Sequence, residues 1–159
     1  MEQGRVTLVE LKERTQKIFE DAKSVYCPYF KERVILNSDG LHHLQFSARH
    51  ERNQTEQRLK FSLVPLGLEV IVKSGTIQEY RKELVAIGKK DQHGYKKMKL
   101  AEYWGLVAIV KNCSLKIRVV LRRVGDGNIA FWSIMPYGQL GNGKKQRLAS
   151  VDLTDDILP

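Results

Sequence analysis

The sequence predicts an α+β protein in which N-terminal helices pack on one face of a four-stranded antiparallel meander sheet. In the first half of the chain, apolar residues recur at three- and four-residue spacing, as on amphipathic helices. In the second half, apolar and polar residues alternate over four segments, as in strands. The connections between these segments are short, which is typical of antiparallel neighbours.

The first predicted element is an amphipathic helix over residues 5–26. Apolar residues follow helical spacing, with Glu and Lys between them: Leu8, Leu11, Ile18, Ala22 and Val25. Cys27-Pro28 should end the helix, because a residue before proline is pushed out of helical geometry. Packing on the sheet is the simplest role for this helix, and docking on another protein remains open.

An extended segment at Glu32–Asn37 leads into a second helix, LHHLQFSARHERN, for which Ser38-Asp39-Gly40 offers N-cap chemistry. Helical spacing puts four of its residues on one face: His42, Phe46, Arg49 and Asn53. The chain has neither Cys-x-x-Cys nor His-Glu-x-x-His, so no metal site is predicted. Structural roles and acid/base or phosphate-binding roles both remain open for these histidines.

A third helix is predicted over Asn53–Lys73, with a kink or break at Pro65 and an end at Ser74-Gly75. Strands follow at Ile77–Ile87 and Met98–Val110. The lysine-rich loop between them, residues 88–97, fits a solvated loop. The alternative is a flap that grips phosphates through Lys89, Lys90 and His93.

The last two strands form a predicted hairpin, Leu115–Val124 and Asn128–Met135, around Gly125-Asp126-Gly127. In the simplest register, Arg118 lies opposite Met135, Val120 opposite Ser133, and Arg122 opposite Phe131. Alternation then places one set of side chains on the face that the helices leave uncovered: Lys116, Arg118, Val120, Arg122, Phe131, Ser133 and Met135. The same alternation assigns Trp132 to the core.

The overall charge favours a polyanionic partner. Lys and Arg outnumber Asp and Glu by 27 to 18, which gives a net charge of +9 and a pI near 9.6. Nucleic acid is the first candidate and an anionic membrane surface the second, whereas a merely basic protein is the simplest alternative.

The chain length suits a single α+β domain over residues 1–137, with a flexible tail at 138–159. Two cysteines, no secretory leader and no apolar run of membrane-spanning length favour a cytoplasmic protein without a membrane partner.

The strand and capped helix in VILNSDGLHHLQFSARH, followed by a second helix and a four-stranded sheet with an Arg-rich third strand, resemble a known superfamily. The resemblance is to the barnase/EndoU/colicin/RelE-like (BECR-fold) nucleases, particularly those of phages and mobile elements. It covers roughly residues 32–137. It implies a metal-independent endoribonuclease of toxin or effector type, which needs no cofactor and cleaves RNA by attack of the 2′-hydroxyl.

The resemblance places the active site on the uncovered face of the sheet, and residues carry over where they match. His43 and Arg49 match the helix motif, Arg118 and Arg122 the basic strand, and Ser133 the last strand. An acidic antitoxin or immunity protein is an expected partner of such a toxin.

The chemistry of RNA cleavage is compatible with these residue types. His43 is the candidate acid or base, Arg118 and Arg122 the clamps on the transition state, and Ser133 a hydrogen-bond donor. The residues expected to contact RNA are Arg49, Lys116, Phe131 (as a stacking platform), Lys89, Lys90 and His93. The alternatives are a non-catalytic RNA- or DNA-binding module of a phage or mobile element, and an interaction protein that binds through its N-terminal helix.

Overall fold

The computed structural model describes residues 5–110 and 115–137, and the backbone of residues 139–140 and 144–145. Most of the predicted tail at 138–159 therefore lies outside the described residues. Within the described part, no helix is long and apolar enough to cross a membrane.

Helices and strands follow one another in an α+β order. The helices are α1 (Leu8–Ala22), α2 (Ser38–Gln45) and α3 (Gln54–Lys73). The strands are β1 (Ser24–Cys27), β2 (Glu32–Ile35), β3 (Glu79–Ile87), β4 (Lys97–Val110), β5 (Leu115–Val124), β6 (Ala130–Pro136), β7 (Gln139–Leu140) and β8 (Lys144–Lys145).

The main sheet has six strands in the order β1-β2-β6-β5-β4-β3. The predicted antiparallel meander is present as β3 to β6, but the prediction of a sheet of only four strands is wrong. The β1–β2 hairpin joins the meander because Ile35 of β2 pairs in parallel with Ala130 of β6. The sheet is therefore mixed, and β1 and β3 are its two edges.

The first predicted helix is too long at its C-terminal end. It begins with a capping box, in which the Thr7 side chain accepts from the Glu10 backbone and Glu10 accepts from the Thr7 backbone. It ends at Ala22 because Lys23 takes a positive φ of 61°. Residues 24–26, expected to be helical, form β1 together with Cys27 instead.

The second predicted helix is also shorter than expected, whereas the third matches its predicted bounds. Asn37, rather than the Ser38-Asp39-Gly40 triplet, caps α2 through a hydrogen bond from Gly40 N to Asn37 Oδ1. Phe46 then adopts an extended conformation, so Arg49 lies in a loop and not on a helix. Pro65 lies inside α3 without ending it.

The helices bury one face of the sheet in what we call the helix-side core. This core combines Phe19 of α1, Leu44 of α2 and Phe61 of α3 with apolar residues of β4, β5 and β6. Gly67 allows α3 to approach the sheet closely, since a Cβ there would lie 2.4 Å from Ile134 Cδ1. Burial of this apolar surface is the main driving force that holds the helices on the sheet.

The other face of the sheet, which we call the second face, is less exposed than the sequence suggests. Val85, Ala101, Tyr103, Val120 and Met135 form a separate buried cluster there. Arg118 on this face is only 5% exposed. The second face is therefore not a fully uncovered plane.

A β-bulge in β6 reverses the predicted positions of Phe131 and Trp132. Arg118 pairs with Met135 and Val120 with Ser133 as predicted, but Leu121 then pairs with Phe131. The extra residue in β6 is Trp132, so Phe131 and Ala130 before it pair one position away from the predicted register, whereas Ser133 and Met135 after it pair as predicted. Phe131 is consequently buried in the helix-side core, and Trp132 packs against the second face.

Candidate functional site

A cleft on the second face lies between α2 and the strands β5 and β6. Its volume is about 400 Å³. The residues that line it come from α2, from the loop after α2 and from the two strands: Asp39, His42, His43, Phe46, Ser47, Ala48, Arg122 and Trp132. We call it the α2 cleft. Asp39 and His42 are exposed at its rim, while Arg122 and Trp132 are partly buried within it.

Gly40 positions α2 against β6 and so creates one wall of this cleft. A Cβ at Gly40 would lie 2.2 Å from the backbone oxygen of Phe131. Only a residue without a side chain allows the helix to approach the strand this closely. The approach brings the His43 ring onto the Trp132 ring, with centroids 4.1 Å apart and an interplanar angle of 18°.

The Arg122 guanidinium lies over two aromatic rings. Its guanidinium carbon lies 4.1 Å from the Trp132 ring centroid and 5.6 Å from that of Tyr103, its neighbour on β4. Stacking of this kind restricts the side chain while the guanidinium keeps its charge and its hydrogen-bonding edge. Arg122 is therefore a preorganised cation in the wall of the cleft.

Buried polar atoms without hydrogen bonds are concentrated on this face. Among the described residues, four buried side-chain atoms lack a partner: Glu83 Oε1, Tyr103 Oη, Arg122 Nε and Trp132 Nε1. Buried polar atoms in folded proteins are nearly always paired. Arg122 Nε and Trp132 Nε1 are both pure donors, and they belong to two residues that line the α2 cleft.

Tyr103 remains a neutral phenol beside this cation. Its burial raises its pKa above 10, and the nearby Arg122 guanidinium opposes this shift only in part. The hydroxyl is therefore protonated at neutral pH, and it can donate a hydrogen bond as well as accept one.

His43 lies in the cleft wall, but its geometry does not favour the predicted acid/base role. Nε2 lies 3.3 Å from Arg52 Nη2, and Arg52 Nε donates to the His43 backbone oxygen at 3.1 Å. A guanidinium can only donate, so a hydrogen bond in this contact uses the Nε2 lone pair, which is then not open to a substrate proton. The stacking of the His43 ring places it to support Trp132.

Two imidazoles line the α2 cleft, and His42 is exposed whereas His43, the predicted catalytic residue, is buried. His42 stacks on Phe46, with ring centroids 4.5 Å apart and an interplanar angle of 19°. The i, i+4 spacing of these two residues had indicated that they share a face. A signal for His42 was thus present in the sequence, whereas Trp132 was missed because the bulge has no clear sequence signature.

Arg118 and Ser133 do not join the α2 cleft. Arg118 lies four residues from Arg122 along β5, about 13 Å away at strand spacing, and donates to Glu79 Oε1 at 2.9 Å. Gly105 permits this ion pair, since a Cβ there would lie 3.0 Å from Glu79 Cβ. Ser133 is completely buried and accepts a hydrogen bond from Lys60 Nζ at 3.1 Å.

The remaining predicted RNA contacts are dispersed. Lys116 lies with its Nζ 5.4 Å from the Tyr137 ring centroid. Arg49 is exposed in the loop that follows α2. Phe131 has no exposed surface, so its prediction as a stacking platform is wrong.

The lysine-rich loop lies away from the α2 cleft. Lys89, Lys90 and His93 belong to the exposed β3–β4 loop, which begins six residues along β4 from Tyr103, about 20 Å. Of the ten predicted site residues, the structure brings only His43 and Arg122 together in one cleft.

The described residues contain no group of three or more His, Cys, Asp or Glu side chains arranged to hold a metal ion. No protein-family model matches the chain, and comparisons with curated proteins and with solved structures gave no match either.

Proposed function

We propose that the protein binds single-stranded RNA and that the α2 cleft holds one phosphate and an adjacent base. The observation that carries this proposal is the Arg122 guanidinium, whose central carbon lies 4.1 Å from the Trp132 ring centroid in the wall of the α2 cleft. A phosphodiester supplies charged acceptor oxygens for this cation. The His42–Phe46 stack on the opposite wall offers an aromatic surface for a base.

The net charge of +9 supports a nucleic-acid partner in general, and the cleft supports a single strand in particular. Bases of a single strand are free to stack on aromatic side chains, whereas those of a duplex are already stacked on each other. The element order β2-α2-α3 followed by the β3 to β6 meander is also the order on which the resemblance to the BECR-fold nucleases rests.

Arg122→Gln tests the proposal, with fluorescence anisotropy of a short labelled single-stranded RNA as the measurement. The loss of a charge-assisted hydrogen bond should weaken binding about tenfold to a hundredfold. Arg123→Gln is the matched control, because it removes the same charge from the next residue of β5, which faces the other side and pairs with Glu102. Equal affinities for the two variants would contradict the proposal.

A metal-independent ribonuclease is the second candidate function, and the position of His42 favours it. His42 shares the α2 cleft with Arg122, so a titratable imidazole and a phosphate-binding cation line one site. Such an enzyme would require a neutralising partner, and an acidic antitoxin or immunity protein that covers the cleft would compete with RNA.

Turnover distinguishes the two candidates. RNA incubated with the protein in chelator should yield 2′,3′-cyclic phosphate ends if the cleft is catalytic. His42→Ala should abolish this cleavage, whereas His50→Ala, a change to an exposed imidazole in the loop after α2, should leave it intact. RNA that is bound but not cleaved by the wild type leaves RNA binding as the function and rejects the ribonuclease.

A further inference from the structure

Strand β3 forms an edge of the main sheet and is largely exposed. In the part of the chain that the structure describes, β3 pairs only with β4. Leu84 is 65% exposed and Tyr80 is 49% exposed, both on the face that carries the helices. Long edge strands with exposed apolar residues are templates for pairing with another strand.

The sequence of β3 is complementary to itself when it is read in the opposite direction. In an antiparallel pairing centred on Lys82, Arg81 of each copy lies opposite Glu83 of the other, and Tyr80 lies opposite Leu84. Opposite charges and large apolar residues in facing positions both stabilise a strand pair. This register overlaps residues 79 to 85 of both copies.

Other antiparallel registers that keep the helix sides of both copies on the same side of the sheet are less favourable. A shift that centres the pairing on Glu83 places two carboxylates opposite each other, and a shift centred on Arg81 places two guanidinium groups opposite each other. A pairing centred on Lys82 brings the Lys82 ammonium groups of the two copies together. Within each copy, however, Lys82 lies beside the carboxylate of Glu102, the residue with which it pairs on β4.

We infer that β3 is a homodimerisation edge, in which two copies of this chain pair antiparallel through residues 79 to 85. The twofold axis passes through Lys82, perpendicular to the sheet. Residues that lie opposite each other in an antiparallel pair point to the same side of the sheet. The helices of both copies therefore lie on one side of a continuous sheet, and the two α2 cleft openings lie on the other. This inference does not depend on the proposed function.

The interface is limited to one strand from each copy, so we expect weak association. Interfaces at the small end of the observed range are typically transient, and a dissociation constant on the order of tens of micromolar is expected. Sedimentation equilibrium over a wide concentration series measures this directly. The weight-average mass should rise from that of the 18.3 kDa chain toward twice that value.

Reversal of single charges on β3 should prevent association. Glu83→Arg places two cations opposite each other on both sides of the central Lys82 pair, and Arg81→Glu places two carboxylates there. Each variant should remain monomeric at concentrations where the wild type dimerises. The double variant R81E/E83R restores both opposite-charge pairs and should restore the dimer to within about threefold of the wild-type dissociation constant.

Two further variants separate loss of pairing from loss of folding. Glu13→Arg makes the same charge reversal at an exposed position of α1 and should leave the dimer unchanged. Leu84→Lys removes the exposed apolar residue and should weaken the dimer at least tenfold while circular dichroism and the melting temperature remain those of the wild type. A wild type that stays monomeric, or a double variant that does not recover, overturns the inference.

Discussion

Gly40 is the residue on which the geometry of the α2 cleft depends most directly. The atoms that a side chain there would meet belong to the backbone of Phe131, in the middle of the sheet. A backbone atom of a paired strand cannot rotate away as a flexible side chain could. The helix itself would therefore have to move, and with it the contact between His43 and Trp132.

We expect Gly40→Ala to lower the free energy of unfolding by about 1–3 kcal/mol, as overpacked sites do. Alanine favours a helix over glycine by about 1 kcal/mol, so the variant is less stable only if the clash costs more than this gain. Urea denaturation measures the change. Gly75→Ala is the control, because no atom lies within 4 Å of the added methyl group. Similar stabilities for the two variants would show that α2 is not held in close contact with β6.

The residues of the cleft could be predicted from the sequence only in part. Alternation along β5 placed Arg122 on the correct face, because an unbroken strand obeys a period of two. Trp132 was placed wrongly because the bulge depends on how β6 meets β5 and α2, contacts between segments far apart in the chain. One inserted residue was sufficient to exchange the positions of Phe131 and Trp132.

At the scale of elements, β3, β4 and β5 are joined on the helix side by a polar cluster beyond the helix-side core. Tyr80 Oη donates to Glu102 Oε2 at 2.6 Å, and Arg123 Nη2 donates to Glu102 Oε1 at 2.9 Å. These two hydrogen bonds lower the pKa of Glu102 below its ordinary value of 4.5, and the bond from Tyr80 has the larger effect. The same contact raises the pKa of Tyr80.

Tyr80→Phe should raise the pKa of Glu102 toward 4.5, since Tyr80 provides the largest part of the shift. A carboxyl whose folded pKa is lowered stabilises the fold above its unfolded pKa, and this contribution is lost as the pH falls through the folded pKa. The variant should therefore show a weaker loss of stability in acid. A ¹³C titration of the Glu102 carboxyl measures the pKa, and Tyr95→Phe, in the exposed loop, should leave it unchanged.

The lengths of the helices were predictable where their caps were strong. Asn53 caps α3 through a hydrogen bond from Glu56 N at 2.8 Å, and the predicted bounds of that helix are confirmed. The end of α2 was missed because Ser47 and His50 close a turn through their own backbone and side-chain hydrogen bonds. Such local polar contacts compete with the helix without disturbing its apolar periodicity.

At the scale of the whole molecule, the α+β class and the β3 to β6 meander were accessible from the sequence. Each strand of the meander follows its neighbour along the chain, so local patterns identify the pairs. The addition of β1 and β2 to the sheet could not be predicted from the sequence, because it depends on a single parallel pair between residues 35 and 130. Contacts over such a separation leave no periodic signal.

The affinity for RNA could depend on the net charge of +9 of the whole molecule or on the contact with Arg122, and salt dependence distinguishes the two. Each phosphate contact of a single strand contributes about 0.7 to the slope of log affinity against log salt. Arg122→Gln should therefore reduce the slope by about 0.7. Arg123→Gln lowers the net charge equally but lies on the other face, so its slope should match the wild type. Equal reductions for both variants would mean that the long-range field of the protein, and not the α2 cleft, attracts the strand.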